Sequence, residues 1–146
     1  MRNRAVELVE IGHAYLNSLD GARPDDLGRA FSEDFVCEDR KAGGVSFGSM
    51  DASEYLAAVR SNWDVGRRSP RFDLHRVIAV RGERLAAIHE CLDMDDGALV
   101  HGITVSQLND SLTQWQRIIW FDPEDVGAAI AELDRLHAEI EADNKT

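Results

Sequence analysis

No stretch of this chain approaches the roughly 20 consecutive apolar residues that a membrane-spanning helix needs. Met1–Glu10 is charged and has no continuous apolar run, so nothing in it reads as a secretory leader, and a cytoplasmic location is the expectation. Cysteine is scarce. Cys37 and Cys91 stand alone, without CxxC spacing, which excludes a disulfide scaffold and favours buried free thiols in a reducing compartment. Basic residues are also short: 16 Lys and Arg against 27 Asp and Glu leave a net charge of −11. Nucleic acids and anionic membranes both demand a basic footprint, so neither is expected as a partner. The basic residues that exist crowd one stretch, Arg60, Arg67, Arg68, Arg71, Arg76, Arg81 and Arg84. A charged strand edge that blocks aggregation explains them better than an anion-binding rim. Phosphate loops, Rossmann glycines, HExxH and nucleophile elbows are all missing. His13, His75, His89, His101 and His137 lack metal-ligand spacing, so no metal and no cofactor is expected.

What remains is a chain of 146 residues, the size of one domain with one core, without repeats or low-complexity segments. Val6, Val9, His13, Leu16 and Leu19 recur at spacings of three and four, with Ile11 on the flank, which predicts an amphipathic helix over 2–19. Gly21 stops it, and Pro24 with Asp25 and Asp26 opens a short second helix with Leu27, Ala30 and Phe31 inward. Phe35, Cys37 and Asp39 alternate with Val36, Glu38 and Arg40 as a short strand. Gly43, Gly44 and Gly48 make a loop, and Asp51 or Ser53 caps a third helix over 52–63, with Tyr55, Leu56, Val59 and Trp63 at core spacing.

The period then changes. Strands are expected over 71–81, 84–93, 99–108 and 112–121, separated by turns at Gly82–Glu83, Asp95–Asp96–Gly97 and Asn109–Asp110. Pro123 starts a closing helix with Val126, Ala129, Ile130, Leu133, Leu136 and Ile140 at helical spacing. The expected fold is α+β, with three N-terminal helices on a curved, mixed or antiparallel sheet and a C-terminal helix closing it. The run Ile118–Phe121 is apolar on both sides and must be covered on both. Helices on one face leave Ile103, Val105, Ile118 and Trp120 on the other, where a homodimer would bury them.

The order of elements, with FSEDFVCEDRKAG (31–43) and IIWFDPEDVGAAIAELDRL (118–136), resembles the nuclear transport factor 2-like superfamily, the cystatin-like α+β cone. It looks closest to the SnoaL-like domains common in actinobacteria, which implies a bacterial source. The resemblance implies a cone enclosing one apolar pocket, with no fixed activity, because this fold hosts isomerases, cyclases, epoxide hydrolases and non-catalytic binders. From ketosteroid isomerases of that superfamily, the catalytic Asp falls on Asp39 and the first-helix tyrosine on Tyr15. Their second acid falls near Thr104, which is no acid, and the epoxide-hydrolase pattern would need acids and an Arg where Glu90, Leu92 and Ile119 stand.

From the residues themselves, Asp39 shares parity with Phe35 and so faces the interior as a candidate general base; pairing with Arg40 or a loop amide is the competing reading. Glu90 enters the cone as an auxiliary acid if Ala86 and Ile88 point inward; with the opposite parity His89 enters instead. Leu16, Phe35, Cys37, Val59, Trp63, Ile88, Thr104, Trp115, Ile119 and Phe121 are the expected lining, with Trp115 placed there by its parity with Ile119 and Phe121. Such a pocket takes a small apolar molecule. Two functions follow: a SnoaL-like ligand-binding module, or a small cofactor-free enzyme moving a proton on an apolar carbonyl compound.

Overall fold

The computed structural model describes residues 1–18, 27–41, 48–64, 71–93 and 99–145, and the side chains of these apart from 59–64. Helix α1 spans Arg4–Asn17, strand β1 Phe31–Asp39, β2 Ser49–Asp51, helix α2 Ala52–Asp64, β3 Arg71–Arg81, β4 Leu85–Asp93, β5 Leu99–Leu108, β6 Trp115–Phe121 and helix α3 Val126–Asn144. The strands form one sheet in the order β2-β1-β6-β5-β4-β3. It is mixed: β3 to β6 run as an antiparallel meander, and β1 pairs with β6 in parallel.

Helices α1 and α2 begin where the sequence supplies side chains that satisfy the first free amides; at the start of α3 the Asp125 side chain makes no cap hydrogen bond. Asn3 caps α1, its Oδ1 accepting from the Val6 amide at 3.0 Å. Its Nδ2 donates to the Gly82 and Leu85 carbonyls, which fastens the helix start to the β3–β4 turn. Asp51 and Glu54 form a reciprocal capping box at the start of α2: the Glu54 amide donates to Asp51 Oδ1 at 2.8 Å and the Asp51 amide to Glu54 Oε1 at 3.2 Å.

The two sheet faces separate cleanly along β4. Ala86 and Ile88 pack with Ala5, Val6 and Val9 of α1, while Leu85 and Ala87 pack with Ala129, Leu133 and Leu136 of α3. The inner face continues over β1 and β6, where Phe31, Phe35, Cys37, Ile118 and Trp120 meet Tyr55 and Leu56 of α2. Register shifts interrupt β3–β4 after Leu74 and after Val77, β1–β6 between Phe31 and Val36, and β5–β6 between Gln107 and Leu108. Irregularities of this kind bend and twist a sheet, which gives the inner face its curvature.

Several expectations change. The second helix is a single 3-10 turn, Leu27–Ala30, and Phe31 already belongs to β1. Residues 19–26, where that helix was expected to start, lie outside the described part. Ser49–Asp51, between the glycines expected as loop and the expected third helix, is a short strand on β1 that ends on the cap residue Asp51. The expected outer patch does not exist, because Ile103 and Val105 pair across β5–β6 with Phe121 and Ile119, not with Ile118 and Trp120. Ile103, Val105, Ile119 and Phe121 lie together under α3, and Ile118 and Trp120 face α2. A helix of the same chain supplies the second cover that was assigned to a partner subunit. No helix among the described residues is long and apolar enough to cross a membrane.

Candidate functional site

The inner face offers an apolar floor and a small polar cluster. The floor is aromatic: Tyr55 stands 5.3 Å from Phe31, 5.8 Å from Phe35 and 6.1 Å from Trp120, ring centre to centre. Trp115 packs against both the α1 cluster and the α2 cluster and so joins the two halves of the floor. Beside it, Leu8, Ile11, Gly12, Tyr15, Leu27, Ala30, Thr113 and Trp115 line an open cavity of about 190 Å³ between α1 and the 3-10 turn.

The polar cluster is built on Glu90, which β4 parity points inward beside Ile88. Thr104 on β5 donates its hydroxyl to Glu90 Oε2 at 3.1 Å, and His13 Nε2 on α1 lies 3.4 Å from Glu90 Oε1. Only 14% of the His13 side chain and 15% of the Glu90 side chain remain exposed, so this is a shielded pair rather than a surface one. The His13 ring stacks on Phe72 with centres 5.3 Å apart, and that contact fixes its plane. On the aromatic floor, burial, then the charges of Cys37 and Glu90, push the Tyr55 phenol far above its ordinary value, so it stays a neutral hydroxyl.

Asp39 lies at the end of β1, in register with Trp120 and buried on the parity of Phe35 and Cys37. Its Oδ1 accepts from the Lys41 amide at 3.0 Å, the loop-amide arrangement. Cys37 beside it is sealed in; burial, then Asp39 and Glu38, push its thiol up to about 12, which removes it as a nucleophile. Tyr15 is 37% exposed and lies on the stripe of α1 that lines the open cavity, a lining that does not include Asp39.

Of the expected lining, Phe35, Cys37, Thr104 and Trp115 reach the inner face, Ile88 is sealed beneath α1, and Leu16 is half-buried. Ile119 and Phe121 do not line it; they are core under α3. Trp115 is there for a different reason from parity. Gln107 pairs with Arg117 and Leu108 with Trp115, so Gln116 is an extra residue that turns Trp115 to the opposite face from Ile119. The side chains of Val59 and Trp63 lie outside the described residues. His89 points to the outer face. His13 and Tyr55 stand at the helical core spacing, and their signal is a polar or amphipathic side chain on an otherwise apolar stripe; Phe72 lies in the expected strand 71–81 and carries no signal of its own. As the side chains stand, no three His, Cys, Asp or Glu residues among those described are arranged to hold a metal ion.

No protein-family model matches the chain. It is similar to the 4-diphosphocytidyl-2-C-methyl-D-erythritol kinases of Mycolicibacterium vanbaalenii and Mycolicibacterium gilvum, 36% identical to each over 101 residues. That match takes in 67% of this chain, which spans only 30% of the kinases' length. Among solved structures it is similar to a protein with a cystatin-like fold from Methylobium petroleophilum (TM-score 0.60, 13% identity, 81% of this chain and 74% of the other). The Δ5-3-ketosteroid isomerase of a Mycobacterium species superposes with a TM-score of 0.57 at 12% identity, over 86% of this chain and 97% of the isomerase. A nuclear transport factor 2-like protein from Mesorhizobium loti gives 0.54 at 17% identity, over 83% and 94%. At these identities the likeness is one of fold.

Proposed function

We infer that this chain, which has the cystatin-like fold of the nuclear transport factor 2-like superfamily, binds a small, largely apolar molecule carrying one carbonyl or hydroxyl group. The carrying observation is Glu90, a shielded carboxylate held by His13 and Thr104 on an aromatic-lined face. Burying a charge costs several kcal/mol unless partners satisfy it, roughly 2–7 kcal/mol even for a neutral polar group, so a retained pair there supports a polar anchor for a ligand. A ligand hydroxyl can donate to Glu90, and a ligand carbonyl can accept from His13. The net charge of −11 disfavours polyanionic ligands. That a ketosteroid isomerase shares the fold supports an apolar carbonyl compound as the ligand class. The kinase activity is that of the whole relatives, of which this chain spans 30%.

The test is tryptophan fluorescence during titration with 4-androstene-3,17-dione, a neutral steroid ketone, and in parallel with 8-anilinonaphthalene-1-sulfonate. Saturable binding is expected, weakened about tenfold in His13→Leu by loss of one hydrogen bond. Absence of a saturable signal with both probes would overturn the reading.

A second reading, proton-transfer catalysis, is favoured by one contact: a carboxylate 3.4 Å from an imidazole is the pairing that orients a general base. Here His13 with Glu90 would serve, or Asp39 with Tyr15 as the family resemblance implies. Deuterium exchange at the α-carbons of the bound ketone, followed by NMR, tests both. A rate lowered ~10²-fold by His13→Leu or by Asp39→Asn identifies the base; a rate equal to that of buffer removes the enzyme reading.

A further inference from the structure

On the outer face of the sheet, next to the area that α3 covers, three histidines from three adjacent strands meet. The ring centres of His75 on β3 and His89 on β4 are 4.8 Å apart, those of His89 and His101 on β5 are 5.1 Å apart, and those of His75 and His101 are 5.9 Å apart. His89 Nε2 lies 2.9 Å from His101 Nδ1, and the Cys91 sulfur 3.8 Å from His101 Nε2. Strand register sets Asp73 opposite Cys91 and Cys91 opposite His101, which puts Asp73 on the same face. His75, His101 and Asp73 are exposed, so solvent reaches the cluster. In sequence these residues are 14 and 12 positions apart, a spacing that hides their convergence until the strands are paired.

We propose that His75, His89 and His101 form a binding site for a borderline divalent cation of the zinc or nickel type. The ring spacing is the argument. A metal–nitrogen bond of about 2.1 Å places an imidazole centre roughly 3.2 Å from the ion, and a tetrahedral angle then separates two such centres by about 5.2 Å. The three observed distances bracket that value. As the rings stand, the nitrogens of His89 and His101 face each other instead of a common point, and for that reason no three donors converge. The two exposed rings, His75 and His101, can turn about the half-buried His89 to meet an ion. Imidazole donors suit zinc, nickel and copper and do not suit magnesium or calcium. The fourth position falls to Cys91, to Asp73 or to water.

Calorimetric titration of tag-free protein with zinc chloride, nickel chloride and magnesium chloride tests the proposal. One zinc or nickel ion per chain is expected, with a dissociation constant on the order of micromolar and no magnesium binding. His75→Ala and His101→Ala should each weaken zinc at least about tenfold, and His137→Ala on α3 should leave it unchanged. Both ligands are exposed, so circular dichroism should match the wild type. Absence of zinc binding below about 1 mM, or full-strength binding in the His75→Ala, His101→Ala double variant, would overturn the site.

Discussion

Asn3 makes three hydrogen bonds with one side chain, all within the first turn of α1 and the β3–β4 corner. Asn3→Ala removes the helix cap and strips the Gly82 and Leu85 carbonyls of a buried donor. A lost cap costs about 1 kcal/mol and an orphaned buried acceptor about 1–3 kcal/mol, so a loss of roughly 2–4 kcal/mol is expected in urea denaturation. Asn3→Ser keeps a capping oxygen and loses both donors without setting a charge against the two carbonyls, so it should fall between wild type and Ala. A Ser variant as unstable as Ala would mean that the cap contributes nothing. The cap is local, Asn3 to Val6, and an Asn just before the helix is its signal; the corner contact was not legible beforehand, since its partners are some 80 residues away in sequence. The same holds for the site. Glu90 was legible as a polar residue in an apolar strand, but its direction depends on pairing with β5 and α1. His13 was legible only as a position on the helix stripe.

At the scale of elements, periodicity located α1, α2, the four-strand meander and α3, because each buries a face whose repeat is local. It failed where structure depends on a distant partner. Ser32, Glu33 and Asp34 do not read as strand, yet they belong to β1, whose register with β6 is set by Phe31 against Trp115 and Val36 against Arg117. Ser49–Asp51 is too short to show alternation and exists because β1 offers it an edge. Parity through β6 failed at one residue, Gln116: unbroken alternation from an inward Trp115 exchanged Ile119 and Phe121 with Ile118 and Trp120 between the two faces. The exchange is testable. Ile119 is fully buried under α3, so Ile119→Ala should cost about 2–4 kcal/mol by opening a cavity while leaving ligand affinity near wild type. Trp115→Leu should weaken probe binding instead, because it removes a wall of the inner face. Equal effects of both variants on affinity would contradict the separation of faces.

For the molecule as a whole, the electrostatic tie between α3 and the β1–β6 pair is a chain of alternating charges on the outer face. Arg117 donates to Glu38 at 3.0 Å, Arg40 bridges Glu38 at 2.7 Å and Glu132 at 2.9 Å, and Arg135 closes on Glu132. Glu132 is the hub. The hydrogen bond from Arg135 and then the one from Arg40 outweigh its burial and hold its carboxyl at about 2, below the usual 4.5. A carboxyl held low in the folded state stabilises it in full above the unfolded value and loses that contribution as pH falls through the folded one. The stabilisation from Glu132 should therefore be complete above about pH 4.5 and disappear toward about pH 2. Glu132→Gln removes the charge at every pH and leaves Arg40 and Arg135 without their shared carboxylate. Its urea midpoint should lie well below wild type near neutral pH, and the two should converge as the wild-type carboxyl takes up its proton near about pH 2. Midpoints measured at intervals across the acid range decide the matter. A gap that stays constant with pH would mean that Glu132 acts through packing and shape rather than charge, and that α3 is held to the sheet by Leu133, Leu136 and Ala129 alone.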